Sequence, residues 1–165
     1  MAQRAFALLP PQVVGAIAAL AFAAMPWSTA AAVEFRATAD AASVLYDAPS
    51  SKSKPTFVIG RDTPLEVIVP LQGWVKVRDS AGTIGWIDQK ALTDRRSVVV
   101  RTQVAEVLGS PDPAAALVFR AEHGVLLELA EPVTAAAATA SPGWVKVRHR
   151  DGQAGFVRIA QVFGL

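Results

Sequence analysis

The stretch Gly73–Arg78, GWVKVR, returns unchanged at Gly143–Arg148. Six identical residues seventy positions apart mark a tandem duplication, so the fold has to be built twice within 165 residues. The match extends well beyond the hexapeptide. Gly73–Ile87 reads GWVKVRDSAGTIGWI and Gly143–Val157 reads GWVKVRHRDGQAGFV. Each has Gly-Trp, a short apolar-alternating run, a polar turn holding Gly82 or Gly152, then Gly-aromatic-aliphatic. Upstream the offset falls to 62: Pro49 matches Pro111, Phe57 matches Phe119, Leu65 matches Leu127 and Glu66 matches Glu128. The difference of eight residues is an insertion in the second copy, the Ala-rich Pro132–Pro142 (PVTAAAATASP), where the first copy has only VPLQ. This loop is expected to be dispensable for folding, because loop length costs only about 0.6 kcal/mol per doubling.

Inside each copy the pattern is that of short strands, not helices. Thr63–Val69 and Val125–Leu129 are rich in β-branched and aliphatic residues. Val75 and Val77 alternate with Trp74, Lys76 and Arg78, a period of two. Ile84–Ile87 and Ala154–Ile159 follow polar, glycine-bearing turns, so each completes a hairpin. Short strands with frequent turns predict an all-β fold of two small barrels, over residues 33–94 and 97–165. The only charged break between the copies is Thr93–Ser97, TDRRS, in which Asp94–Arg96 reads as a solvated connector. A link this short holds the barrels in contact or nearly so. Units of this size bury only about 60% of their surface, which favours two that support one another.

Residues 1–32 stand apart. Arg4 supplies a positive start, Val13–Met25 is an uncharged run, Pro26 ends it, and Ser28–Ala32 (STAAA) offers small residues for a signal peptidase. This is the pattern of a secretory signal peptide cleaved after Ala32. The run is shorter than the ~20 residues of a membrane span, so no stable span is expected after cleavage. The protein is therefore expected in the periplasm or outside the cell. The chain has no cysteine, which removes a lipoprotein anchor, disulfides, a cysteine nucleophile and thiolate metal sites. Removing Arg4 leaves 15 basic against 14 acidic residues. So balanced a charge does not fit a nucleic-acid binder, and the slim arginine excess marks no basic patch along the chain.

The paired motifs resemble the bacterial SH3-like domain family. The residues that carry the resemblance are Gly73, Trp74, Val77, Gly85, Trp86 and Ile87 in the first copy. In the second they are Gly143, Trp144, Val147, Gly155, Phe156 and Val157. The family's Asn-x-Arg-x-Gly-Pro stretch is reduced here to a proline, in Leu45–Ser50 (LYDAPS) and Val107–Asp112 (VLGSPD). No ligand role resting on the family's Asn or Arg is carried over. The resemblance implies a five- to six-stranded SH3-like barrel per copy, in the periplasm or cell wall. Many such domains are targeting modules for peptidoglycan or its peptide stems.

Alternation sends Val75, Val77 and Ile87 into the barrel and Trp74 and Trp86 outward. In SH3-like barrels two such outward aromatics can lie near the loop after the first strand; Tyr46 is placed in that loop, so the resemblance implies that it joins Trp74 and Trp86 in an aromatic groove. The second copy keeps Trp144 and Phe156, with Leu108 in place of the tyrosine. These aromatics serve either as packing for a small barrel or as a shallow groove for peptides and sugars. Asp47, Asp62 and Asp79 read as turn residues rather than catalytic carboxylates. His123 and His149 read as loop residues, not metal ligands. No phosphate loop or nucleophile elbow is present. The reading is an exported, non-enzymatic binding module without cofactor or metal, whose partner is a cell-wall component or an envelope protein. The alternatives are a structural subunit without a small ligand and a reader of proline-rich peptides. The latter is disfavoured because Gly85–Leu92 (GWIDQKAL) lacks a Pro-x-x-Tyr segment.

Overall fold

The computed structural model describes residues 33–165; the expected signal peptide and its cleavage after Ala32 lie outside the described residues. The first copy forms seven strands: β1 (Phe35–Thr38), β2 (Ala42–Tyr46), β3 (Pro55–Gly60), β4 (Pro64–Leu71), β5 (Trp74–Arg78), β6 (Ile84–Asp88) and β7 (Leu92–Thr93). The second forms β8 (Ser97–Val100), β9 (Val104–Leu108), β10 (Leu117–Glu122), β11 (Leu126–Leu129), β12 (Trp144–Arg148), β13 (Ala154–Arg158) and β14 (Val162–Phe163). The strand orders are β3-β2-β6-β5-β4-β1-β7 and β10-β9-β13-β12-β11-β8-β14. Adding seven to each label of the first sheet gives the second. The sheets are antiparallel throughout, so the fold is all-β with two sheets of one topology.

One apolar cluster fills each sheet's concave side, which shows that each sheet curls round on itself. In the first it comprises Leu45, Ile59, Leu65, Val75, Val77, Ile87 and Leu92. Shifting these positions by 62 up to the insertion and by 70 after it gives Val107, Ala121, Leu127, Val145, Val147, Val157 and Val162, all core residues of the second. Side chains are smaller in the second copy at Val107, Ala121, Val157 and Val162. Val98, Val100 and Ala105 join that core, and Phe119, Val125, Leu129 and Leu165 pack against it. The repeated strand behaves as its alternation requires, with Val77 and Val147 fully buried.

The copies differ at the insertion. In the first, β4 runs eight residues and turns directly into β5 through Gly73, whose φ of 76° the tight turn requires. In the second, β11 stops after four residues. The expectation of strands and loops alone fails here, because Ala135–Ala140 forms a helix, α1. Five of its six residues are alanine and the side chain of Thr134 accepts a hydrogen bond from Ala137 N–H, so good helix formers follow a good N-cap.

The copies pack on each other. On β8, Val98 and Val100 face their own core; Ser97 and Val99 point the opposite way and are buried as well. Ser97 Oγ donates to the Asp62 carbonyl at 2.5 Å, and Phe35 meets Phe163 edge-on at 5.1 Å. A Cβ on Gly164 would sit 2.6 Å from the Ser97 carbonyl oxygen and 2.8 Å from Pro64, so only glycine fits that contact. The connector is tied down rather than merely solvated: Arg95 pairs with Asp62 at 3.2 Å and Arg96 donates to the Gly164 carbonyl at 3.2 Å.

Candidate functional site

Tyr46, Trp74 and Trp86 come together on the outer face of the first sheet. Tyr46 is the last residue of β2 rather than a loop residue, and it lies directly across from Trp86 on β6. Its ring meets Trp74 edge-on, with centroids 5.5 Å apart. Lys76, directly across from Trp86 on β5, holds its ammonium 5.9 Å from the Trp86 ring, at the outer limit of a cation–π contact. All four side chains are half-buried. Each therefore presents part of an apolar surface to solvent while the rest is held by the sheet. Neighbouring glycine makes the arrangement possible: a Cβ on Gly85 would press against Leu45 at 3.1 Å, so the residue beside Trp86 lets β6 cross close to β2.

The second copy does not repeat this face. Trp144, expected outward, is buried at 7% exposure, and Leu108 is buried too. Arg158 stacks over the Trp144 ring at 4.6 Å, and residues of α1 line one small crevice together with Trp144 and Phe156. Phe156 stays half-buried opposite Leu108, with Lys146 5.9 Å from its ring, but that lysine is held by Glu131 at 2.7 Å. The assignment of Trp144 to a ligand face is therefore corrected: the insertion lies against it. Replacing Glu131–Pro142 by a connection as short as the first copy's is expected to leave the barrel folded but expose Trp144. The expected cost is about 1–2 kcal/mol, from the apolar area returned to water. Tryptophan emission should shift to the red and the melting temperature should fall; an unchanged spectrum and melt would show that the insertion shields nothing.

The turn aspartates act as turn residues. Asp79 accepts hydrogen bonds from the amides of Ala81 and Thr83, and Asp47 accepts one from Lys54. Asp62 adopts a φ of 61° and also pairs with Arg95 of the connector. His123 is exposed, as expected of a loop. His149 is not simply solvated. Its ring packs on Phe119 and its Nδ1 lies 3.0 Å from Asp151. The Gln153 amide, and then His149, hold the Asp151 carboxyl below the usual carboxylate value.

A cleft of about 560 Å³ lies where the two sheets meet, away from the aromatic face. Its lining includes Arg61, Arg95, Arg96, Arg148 and Arg150, above an apolar floor of Val125, Leu126 and Leu127. Asp62 and Glu128 are its acids, so the lining is three positive. The whole chain is two positive, so all other residues together carry a net charge of minus one. The reading that no basic patch exists is thus corrected. Three separate segments supply the arginines, and only folding brings them together.

Residues 39–94 match the bacterial SH3 domain family. No curated protein matches the chain. Among solved structures it is similar to NlpC1 from Trichomonas vaginalis at 11% identity and a TM-score of 0.36, covering 82% of this chain and 47% of that one. It is also similar to NlpC2 from Trichomonas vaginalis at 11% identity and a TM-score of 0.34, covering 83% and 50%. An NlpC/P60 family protein from Bacillus cereus shows 16% identity and a TM-score of 0.36, covering 79% and 56%. The chain thus spans about half the length of each of these proteins. The match to the bacterial SH3 domain family thus falls on the copy that carries the aromatic face.

Proposed function

We propose that this chain is an exported, non-enzymatic binding module that holds a cell-wall component, a peptide or a glycan strand, against Tyr46, Trp74 and Trp86. The observation that carries this reading is the contrast between the copies. The second copy builds the same topology with its tryptophan sealed under Arg158 and beside α1, so an open aromatic face is not a requirement of the barrel. The first copy keeps three half-exposed rings on one face, Tyr46 edge-on to Trp74 and in register with Trp86, with a lysine beside them. Flat aromatic surface with a polar margin suits the apolar faces of sugars and extended peptide backbone, because the rings supply contact area at little conformational cost. The site is a shallow face rather than an enclosed pocket, which fits a polymer that passes across it.

Co-sedimentation with purified peptidoglycan sacculi tests the reading. The protein is expected to pellet with sacculi and to be released by soluble wall fragments. Failure to pellet across a range of ionic strengths would overturn it.

A further inference from the structure

We propose that the arginine-lined cleft between the two barrels is a second, separate binding site that takes an acidic peptide. The charge is concentrated there: the lining carries a net three positive charges in a chain whose other residues are slightly negative. Both barrels contribute, Arg61 from the β3–β4 turn and Arg148 and Arg150 from the β12–β13 hairpin.

The duplication shows which of these guanidinium groups are uncommitted. In the first copy Arg78 lies opposite Glu66 and binds it through two hydrogen bonds, at 2.8 and 2.6 Å. In the second copy the equivalent Arg148 lies opposite the equivalent Glu128 in the same register. Among the described residues no ion pair joins them, and both line the cleft. Arg61 and Arg150 likewise have no ion-pair partner among the described residues, and all three arginines are exposed. A pair that is closed in one copy is open in the copy that faces the cleft. Guanidinium groups bind carboxylates bidentately, and several of them around one concavity favour a ligand with several carboxylates.

The size and floor of the cleft select a peptide over a bare ion. A cavity of about 560 Å³ is in the range that encloses an organic ligand, and a lone oxyanion would leave the partly exposed Val125 and Leu126 against water. A short acidic peptide fills the volume, covers the apolar floor and places carboxylates at both walls.

The site shares no residue with the aromatic face, so its test is separate. A fluorescein-labelled hexaglutamate peptide is titrated with the protein and followed by anisotropy at low and at physiological salt. Saturable binding that weakens with salt is expected. The double variant Arg148→Gln/Arg150→Gln should lose at least tenfold in affinity, and Arg61→Gln on the opposite wall should weaken binding as well. Lys90→Gln/Arg120→Gln removes the same charge elsewhere and should leave affinity unchanged. Absence of saturable binding, or equal losses in the two double variants, would overturn the proposal. So would equally tight binding of hexaglutamine, or displacement by inorganic phosphate at concentrations as low as those of unlabelled peptide.

Discussion

Val77→Asp is expected to unfold the first barrel at room temperature. Val77 has no solvent exposure and lies in the centre of the repeated strand, between Val67 on β4 and Gly85 on β6. A carboxyl group there meets Leu45, Leu65 and Ile87 rather than a hydrogen-bond donor. Burying it, whether ionised or neutralised by a raised pKa, costs several kcal/mol, against a total stability of only about 5–15 kcal/mol for a small domain. The damage should also spread. Ser97 and Val99 of the second barrel are buried although they point away from their own core, and Phe163 packs on Phe35. Unfolding of the first barrel exposes these residues, so the second should melt at a lower temperature than in the parent protein. Far-ultraviolet circular dichroism during heating reads both effects. A melt within a few degrees of the parent would mean that Val77 is not held in an apolar core.

Gly155→Ala is expected to destabilise the protein far more than Gly85→Ala, although the two glycines occupy equivalent places. A Cβ at 155 would lie 2.6 Å from the Leu108 carbonyl oxygen and 2.8 Å from Val107. The first of these is backbone, so β13 or β9 must shift. At Gly85 the nearest atom is Leu45 Cβ at 3.1 Å, which a small movement relieves. Overpacking of the first kind costs about 2–3 kcal/mol, and the milder contact about 1 kcal/mol or less. Part of each loss is offset by about 0.4–1 kcal/mol from the stiffer unfolded chain. Urea midpoints of the two variants measure the difference. Equal midpoints would show that the two strand crossings are not as unequal as the distances indicate.

These contrasts show what the amino-acid sequence made legible. The strand pattern is written in Val75, Val77, Val145 and Val147, because a period of two with β-branched residues has one way to bury them. The offsets of 62 and 70 map one core onto the other position by position. The outward Trp74 and Trp86 were legible too, from the same alternation, whereas Tyr46 was expected in a loop and instead ends β2. What was hidden depends on neighbours distant in the chain. Trp144 sits in a hexapeptide identical to that of Trp74, so no local pattern could tell the buried ring from the half-exposed one. The insertion and Arg158 decide it. The arginines of the cleft come from a turn, the connector and a hairpin, and a nearly balanced total charge concealed their convergence.

The pairing of Glu66 with Arg78 belongs to the same divergence. There the hydrogen bond from Arg78 to Glu66, and then the nearby negative charge, raise the pKa of the guanidinium further. Its counterpart in the second barrel is open towards the cleft. One copy has thus kept its outer aromatic face free and closed its charged pair, while the other has covered its tryptophan and left its arginine uncommitted.

The proposed ligand face belongs to the first barrel. Sedimentation with sacculi tests it most directly when Trp74→Ala/Trp86→Ala and Phe156→Ala are compared side by side, each shown by its melting curve to be folded. The first variant is expected to drop to the level of a protein-only control while Phe156→Ala pellets as the parent does. Pelleting of the folded Trp74→Ala/Trp86→Ala variant at the parent's level, or its loss only in Phe156→Ala, would contradict it.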